Sequence, residues 1–229
     1  GNGEMMFQIL KTIEKFNKFK SCSNFIIYEK STFLKKIQKK KINFKNIKWI
    51  NNLKKISNFP SIFIANEFFD ALPIKQFVKK NNDWYEKYII NKNKSLNFFE
   101  KKTKKEYIEK LIKQRILQNQ KFIEYSPLAN EKLNIISKII KKQNGGLLII
   151  DYGYIDKKMF NTLQSVKSHK KNFLLENIYN ADITHLINFN FFIKKIKNLK
   201  IDSINLTTQR EFLLKLGILE RAEIISKNM

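Results

Sequence analysis

Asn66, Glu67 and Asp70 stand directly behind the short apolar run Ile62-Phe63-Ile64-Ala65, and Ala71-Leu72-Pro73 follows them. An apolar run bounded by turn-forming residues reads as a strand buried on both faces. Its polar tip then lies where the strand leaves the sheet, the end that faces the ligand crevice in open α/β sheets. Two further features have the same character. Gly1-Asn2-Gly3 opens a segment whose apolar residues, Met6, Ile9, Leu10, Ile13 and Phe16, recur at helical spacing. Glycines there let the backbone approach a nucleotide-type cofactor, and the helix N-terminus offers free N–H groups. Glu29 ends the next apolar run, Phe25-Ile26-Ile27-Tyr28, where a carboxylate can accept hydrogen bonds from both ribose hydroxyls. Asp151 ends the most apolar run of the chain, Leu147-Leu148-Ile149-Ile150, and is followed by Tyr152-Gly153. Glu124 closes a shorter run and is a weaker candidate. His169, His185 and Cys22 have no metal-ligand spacing, so no metal site is expected.

The elements that must position these residues follow from pattern. Strands are expected over 24–29, 46–50, 61–66, 122–125 and 147–150, with helices after Gly3, after Ser31 to about Lys40, and from Ser126-Pro127 to Asn144. Alternation of strands and helices predicts a parallel sheet with helices on both faces. Residues 75–99 break the pattern, since β-rich runs flank the polar turn Asn81-Asn82-Asp83 and read as an antiparallel insertion, with a solvated charge run at Lys101–Lys105 and a helix over 106–120. Farther on, the pattern predicts helices over 159–170, over 182–197 with Asp182 as cap, and over 208–216 ended by Gly217. A strand is expected over 200–206.

Bulk composition narrows the classes. The 229 residues suit one domain with an insertion, and 43% hydrophobic with 13% aromatic residues suits a globular fold rather than a disordered one. No apolar run reaches the ~18 residues of a membrane span. No secretory leader pattern opens the chain, and one cysteine excludes an internal disulfide, so a reducing compartment is expected. A net charge of +25 points toward polyanions, but it comes from 42 Lys and only 3 Arg. Arg is the residue suited to bidentate phosphate and base contacts. Lys, Asn, Ile and Phe together match AT-rich coding, so nucleic-acid binding is not the favoured reading.

In order along the chain, Gly1-Asn2-Gly3-Glu4-Met5-Met6, Asn66-Glu67-Phe68-Phe69-Asp70-Ala71-Leu72-Pro73, Gly145-Gly146 through Asp151-Tyr152-Gly153, Thr162-Leu163-Gln164 with His169, Asp182-Ile183-Thr184 with Phe189, and Thr208-Gln209 through Leu216-Gly217-Ile218 form one set. With these the chain resembles the MidA-like family of class I S-adenosylmethionine (SAM)-dependent methyltransferases, which includes a mitochondrial complex I assembly factor that methylates a protein arginine. The resemblance implies a Rossmann-like α/β sheet in which Ile62–Ala65 is the fourth strand, with a first strand before Gly1 and a closing strand after Met229. It thus implies a single methyltransferase domain, incomplete at both ends, with an insertion at about 75–122. It implies SAM as cofactor, contacted by Gly1, Gly3, Glu29, Asn66 and Asp151, and a protein arginine as acceptor, possibly on a respiratory NADH dehydrogenase subunit. Glu67, Asp70 and Asn66 become the catalytic candidates, because a carboxylate pair can orient a guanidinium that stays protonated. Phe68 and Phe69 read as core and pocket wall. The location implied is cytoplasmic in a bacterium or the mitochondrial matrix in a eukaryote, not secreted. The chain departs from the family after Asp182-Ile183-Thr184, where the usual His and Asp are replaced by Leu186 and Asn188. A non-catalytic assembly protein on the same fold, or a nucleic-acid methyltransferase, are the alternatives.

Overall fold

The computed structural model describes residues 1–56, 59–113, 116, 119–201 and 203–227. The chain folds as two compact units, Gly1–Asn58 and Phe59–Met229.

In the first unit Gly3 adopts φ 88°, in the left-handed region that glycine enters without cost, and launches α1 (Glu4–Ile13). A short α2 (Asn17–Cys22) precedes β1 (Phe25–Tyr28). Ser31 caps α3 (Thr32–Lys41) by accepting the Leu34 N–H at 3.2 Å, as its position predicts. β2 (Ile47–Ile50) then pairs with β1 in parallel, Phe25 opposite Ile47 through Tyr28 opposite Ile50. Leu10, Ile42, Ile50 and Leu53 are the buried apolar residues of this unit. β1 is half-buried along its length rather than fully buried. The reason is that its sheet has two strands, so β2 covers only one edge.

The second unit is built on β3 (Ser61–Asn66), which pairs in parallel with β8 (Gly145–Ile150) from Ser61 opposite Gly145 to Asn66 opposite Ile150. Between them run β4 (Lys75–Lys80), β5 (Asp83–Lys92), β6 (Ser95–Lys102), α4 (Lys105–Lys113), β7 (Phe122–Tyr125) and α5 (Pro127–Gln143). Ser126 caps α5 at the Ala129 N–H and donates its own hydroxyl to the Pro73 carbonyl at 2.7 Å. Ala65 packs with Phe69, Ala129, Leu133, Ile187 and Phe192. The other face of β3 is open: Ile62 is 78% exposed and Ile64 42%. The expectation of a strand buried on both faces is therefore met on one face only. Side chains alternate across a strand, and α5 packs on the Ala65 side.

The insertion is a four-stranded antiparallel sheet in the order β6-β5-β4-β7. Phe77, Trp84, Leu111, Ile116, Ile123 and Tyr125 form its core, with Tyr107 stacked on Phe77. The lysines of the charge run at Lys101–Lys105 are solvent-exposed as expected, but the run is built into structure. Lys101 and Lys102 end β6 opposite Glu86 and Tyr85, Lys102 pairs with Asp83 at 2.7 Å, and Lys105 begins α4. Of the helix expected over 106–120, α4 covers the span to Lys113; residues 114, 115, 117 and 118 lie outside the described residues.

After β8 come β9 (Gly153–Tyr154), β10 (Gln164–Lys167), β11 (Lys170–Asn172), β12 (Asp182–Thr184) and β13 (Ile187–Asn188), then α6 (Phe189–Asn198), α7 (Gln209–Lys215) and α8 (Ile218–Ser226). The helix expected over 159–170 is instead a hairpin. Ser168 and His169 both take positive φ, the two-residue turn that matches strand twist, and buried Ser165 pairs across to Asn172 and Ile183. Asp182 does not cap a helix but starts β12; α6 begins at Phe189, capped by Asn188 accepting the Phe191 N–H at 3.0 Å. No strand forms among the described residues of 200–206, where Lys200 turns the chain with φ 58° and Asp202 lies outside the description. Thr208 and Glu211 close a reciprocal capping box on α7. Gly217 ends that helix as expected, and with φ 78° it also begins α8, which periodicity did not reveal.

Candidate functional site

Two clusters hold the predicted site residues, one in each unit. In the first, Gly1-Asn2-Gly3 leads into the N-terminus of α1. Gly3 itself has no capping side chain, but Asn2 Oδ1 accepts the Glu4 N–H at 3.1 Å, and an added Cβ on Gly3 would lie 3.1 Å from Ile42 Cδ1 and 3.2 Å from Gln38 Cγ. A Cβ on Gly1 would meet nothing within 4 Å. The Glu29 carboxylate is held on both oxygens: Oε1 accepts the Ser31 N–H at 2.8 Å and Oε2 accepts from Gln38 Nε2 at 3.0 Å. The same Gln38 nitrogen donates to the Gly1 carbonyl at 2.8 Å, and Gln38 Oε1 accepts the Trp49 indole N–H at 3.0 Å. Gly1, Gly3 and Glu29, expected to meet a cofactor, are thus gathered by one buried side chain that was not singled out. The available signal was a polar residue on the inward face of α3, one turn after Leu34.

In the second unit the ladder of β3 and β8 runs one residue past the strand, where the Glu67 N–H donates to the Ile150 carbonyl at 2.9 Å. Glu67 then takes φ 45°. A left-handed backbone costs a residue with a Cβ about 1–2 kcal/mol, so the surroundings must enforce it. Asp151 does so. Its Oδ2 accepts the N–H groups of Phe69 at 2.9 Å and Asp70 at 3.4 Å, while Oδ1 accepts its neighbour Tyr152 N–H at 3.0 Å. Phe69 is 0% exposed and anchors the loop in the core against Phe68 and Phe192. The side chains of Asn66 and Glu67 are left exposed at the strand end.

The two acids at 67 and 70 therefore sit in different media. Glu67 is in solvent; Asp70 is 4% exposed, beside Asp151. Burial raises the Asp70 carboxyl above the ordinary aspartate value, against the pull of the Ala71 N–H and of His185. Burial, and then the charge of Asp70, push Asp151 up to about 6, although three N–H groups favour its ionised form. Two carboxyl groups this close hold one charge more readily than two. Asp70 Oδ1 and His185 Nε2 are both buried without a protein partner among the described residues. The His185 N–H donates to the Asp70 carbonyl at 3.2 Å, which draws the segment before β13 to the loop.

Glu124 lies in a second buried polar group. Its Oε2 accepts from Gln76 at 2.6 Å and from the Thr162 N–H at 3.2 Å, and the Thr162 hydroxyl donates to Oε1. That hydroxyl also accepts the Leu186 N–H at 2.8 Å. The Thr162-Leu163-Gln164 motif is thereby explained as a tie between the insertion and the segment before α6. His169, at the tip of the β10–β11 hairpin, is exposed. No helix among the described residues is long and apolar enough to cross a membrane.

Comparison with known proteins bears on the whole arrangement. A protein arginine methyltransferase NDUFAF7 homolog, mitochondrial, from Caenorhabditis elegans is 32% identical over 179 residues, covering 77% of this chain and 42% of that protein. The mitochondrial protein arginine methyltransferase NDUFAF7 of Danio rerio is 28% identical over 186 residues, again covering 42% of its length. The chain thus spans less than half the length of these relatives. A crystallised protein from Burkholderia thailandensis bound to S-adenosyl-homocysteine shares the fold with a TM-score of 0.76 at 17% identity, over 96% of this chain and 59% of that one. Its likeness supports a class I methyltransferase fold for the parallel pairs and helices described above. Residues 1–206 match the family described as "Putative S-adenosyl-L-methionine-dependent methyltransferase". The chain belongs to this family of S-adenosyl-L-methionine-dependent methyltransferases.

Proposed function

We propose that the protein transfers a methyl group from SAM to an arginine side chain of a protein. Two relatives named as protein arginine methyltransferases support the acceptor class. The family resemblance suggests a subunit of respiratory NADH dehydrogenase as the acceptor, and the mitochondrial matrix as the site of action if the source is a eukaryote.

The residues present fit the cofactor. The Gly1–Gly3 turn offers close backbone approach for the methionyl end, and the first turn of α1, where Asn2 already holds the Glu4 N–H, adds its remaining N–H groups. Glu29, fixed on both oxygens, keeps further lone pairs for the ribose diol. Asn66 and Asp151 end the paired strands β3 and β8. SAM supplies the methyl carbon. A new carbon–nitrogen bond would replace the carbon–sulfur bond, and the proton given up by the methylated nitrogen would pass to the solvent that reaches this exposed strand end. The protein's task is to aim a guanidinium that stays protonated and is a poor nucleophile. Glu67, exposed and fixed by its backbone, is the acid that meets the guanidinium. Asp70, with Oδ1 unpartnered, is the second acid, and its buried setting beside Asp151 suits it to hold a proton or a single hydrogen bond.

The observation that carries this reading is Glu67, a solvent-facing acid held in a left-handed backbone at the end of a parallel strand. Its test is Glu67→Gln in the full-length protein. The variant should bind S-adenosylhomocysteine as the wild type does in calorimetry, yet transfer label from methyl-labelled SAM to lysate protein at least ~100-fold more slowly, the cost of losing one charged transition-state contact. Undiminished transfer would remove Glu67 from the mechanism. Cofactor binding without transfer to any protein by the wild type would favour the assembly-protein reading.

A further inference from the structure

Gln38 makes bonds that no ordinary core glutamine needs. It is 3% exposed on α3, and its amide joins three separate parts of the first unit. Nε2 reaches the Gly1 carbonyl at 2.8 Å and Glu29 Oε2 at 3.0 Å, using both of its hydrogens; Oε1 takes the Trp49 indole N–H at 3.0 Å. The indole bond settles which end of the amide is oxygen, because an indole nitrogen only donates. The stem of the same side chain packs under the left-handed Gly3. A buried amide with three directed bonds has one orientation, so the glycine turn and the Glu29 carboxylate cannot move independently of each other.

We infer that Gln38 is the positioning residue for cofactor recognition: it aims the Glu29 carboxylate at the ribose diol and fixes the distance from that carboxylate to the Gly1–Gly3 turn. This rests on the cofactor reading above. Ser31 holds the other Glu29 oxygen through a backbone N–H, which no side-chain replacement removes. Gln38 is therefore the one side-chain control on the direction of the acid among the described contacts. The consequence is a specificity effect. Without Gln38 the carboxylate swings, and the ribose hydroxyls lose their geometric advantage. Contacts to the rest of the cofactor weaken much less.

The test compares two ligands on the full-length protein by calorimetry: S-adenosylhomocysteine and its 2′,3′-dideoxyribose analogue. The wild type should prefer the hydroxylated ligand by about tenfold or more, the size of one hydrogen bond to a charged group. Gln38→Met, close in volume and without polar atoms, should cut that preference to about threefold or less while changing the affinity for the dideoxy ligand little. A merely structural role would weaken both ligands by one factor and leave their ratio intact, and that result would overturn the inference. A wild type that does not distinguish the two ligands would instead overturn the ribose role of Glu29, and Gln38's role with it. Where Gln38→Met does not fold, Trp49→Phe removes one bond to the same amide and keeps a ring in place; it should lower the preference by about threefold. An unchanged ratio in a folded Trp49→Phe protein would count against the inference in the same way.

Discussion

Replacing Asp151 by Asn separates the two things its carboxylate does. As a fixed acceptor it holds the Phe69 N–H, a group with no access to water, and an unsatisfied buried N–H costs about 1–3 kcal/mol. As a charge it is unfavourable, because burial and Asp70 raise it from 3.8 to about 6. A carboxyl raised in the folded state contributes stability that is complete below the unfolded value, near 3.8, and is lost as pH rises through about 6. That shift sets a ceiling of about 3 kcal/mol. Asp151 keeps part of its surface in water, which screens the effect to ~1 kcal/mol. An Asn carbonyl can still accept from Phe69, but its amide cannot accept from Tyr152, whose exposed N–H turns to water. Asp151→Asn should therefore be close to neutral at pH 4.5, where the wild-type carboxyl is protonated, and stabilising by up to ~1 kcal/mol at pH 7.5, where the wild type carries the unfavourable charge. Urea denaturation of both proteins at the two pH values measures this directly. A variant that loses more stability at pH 7.5 than at pH 4.5 would show that the ionised carboxylate stabilises the fold, and the reasoning would be refuted.

Two further substitutions test the geometry around the same loop. Glu67→Gly relieves the left-handed backbone and should raise stability by ~0.5–1 kcal/mol in urea denaturation, while abolishing label transfer; loss of both stability and transfer would mean that the side chain holds the loop together. Gly153→Ala sets a methyl against the Ile187 carbonyl and the Phe189 ring. It should cost about 2 kcal/mol or more by overpacking, read as a lower midpoint in the same assay; an unchanged midpoint would show that β9 can move away from β13.

Local chemistry made much of the fold legible. Ser31 and Ser126-Pro127 mark helix starts because the capping oxygen and the fixed proline φ act within one turn. Leu147–Ile150 could hardly be anything but a strand. The errors share a physical origin, which is pairing at a distance. The segment 159–170 carries apolar spacing that passes for helical, yet buried Ser165 pairs with Asn172 across the hairpin turn and with Ile183 on a strand that a local window does not contain. Asp182 has the right residue type for a cap, but Asn188 six positions later took the role, and a strand pairing with β10 claimed Asp182. Asn188 also bears on the departure from the family pattern. An amide oxygen caps α6 as a carboxylate would, so the change from Asp to Asn keeps the helix start and removes only a charge.

The candidate site was legible in the members that reach solvent and not in those that aim them. Asn66, Glu67 and Glu29 announce themselves because a polar residue at the end of an apolar run has few structural reasons to be there. Gln38 and Asp151 act through bonds to backbone or to other side chains at the ends of different elements, and a linear pattern holds no record of which backbone group a buried acceptor will meet. Asp151 was visible as an acid at a strand end, but its work is on the N–H groups of Phe69 and Asp70, 82 and 81 residues away. The two clusters follow one logic: an acid that reaches solvent, half-buried in Glu29 and exposed in Glu67, a backbone turn beside it, and a buried polar side chain bonded to the turn. In the first unit Gln38 also grips the acid itself, whereas in the second Asp151 grips only the backbone after Glu67. Ribose recognition should therefore depend steeply on Gln38. On the proposed function, the Glu67 side chain, which Asp151 does not grip, would keep its rotamer freedom until a guanidinium engages it. On the same proposed function, that difference suits the first cluster to a cofactor of fixed shape and the second to an arginine presented by a protein surface.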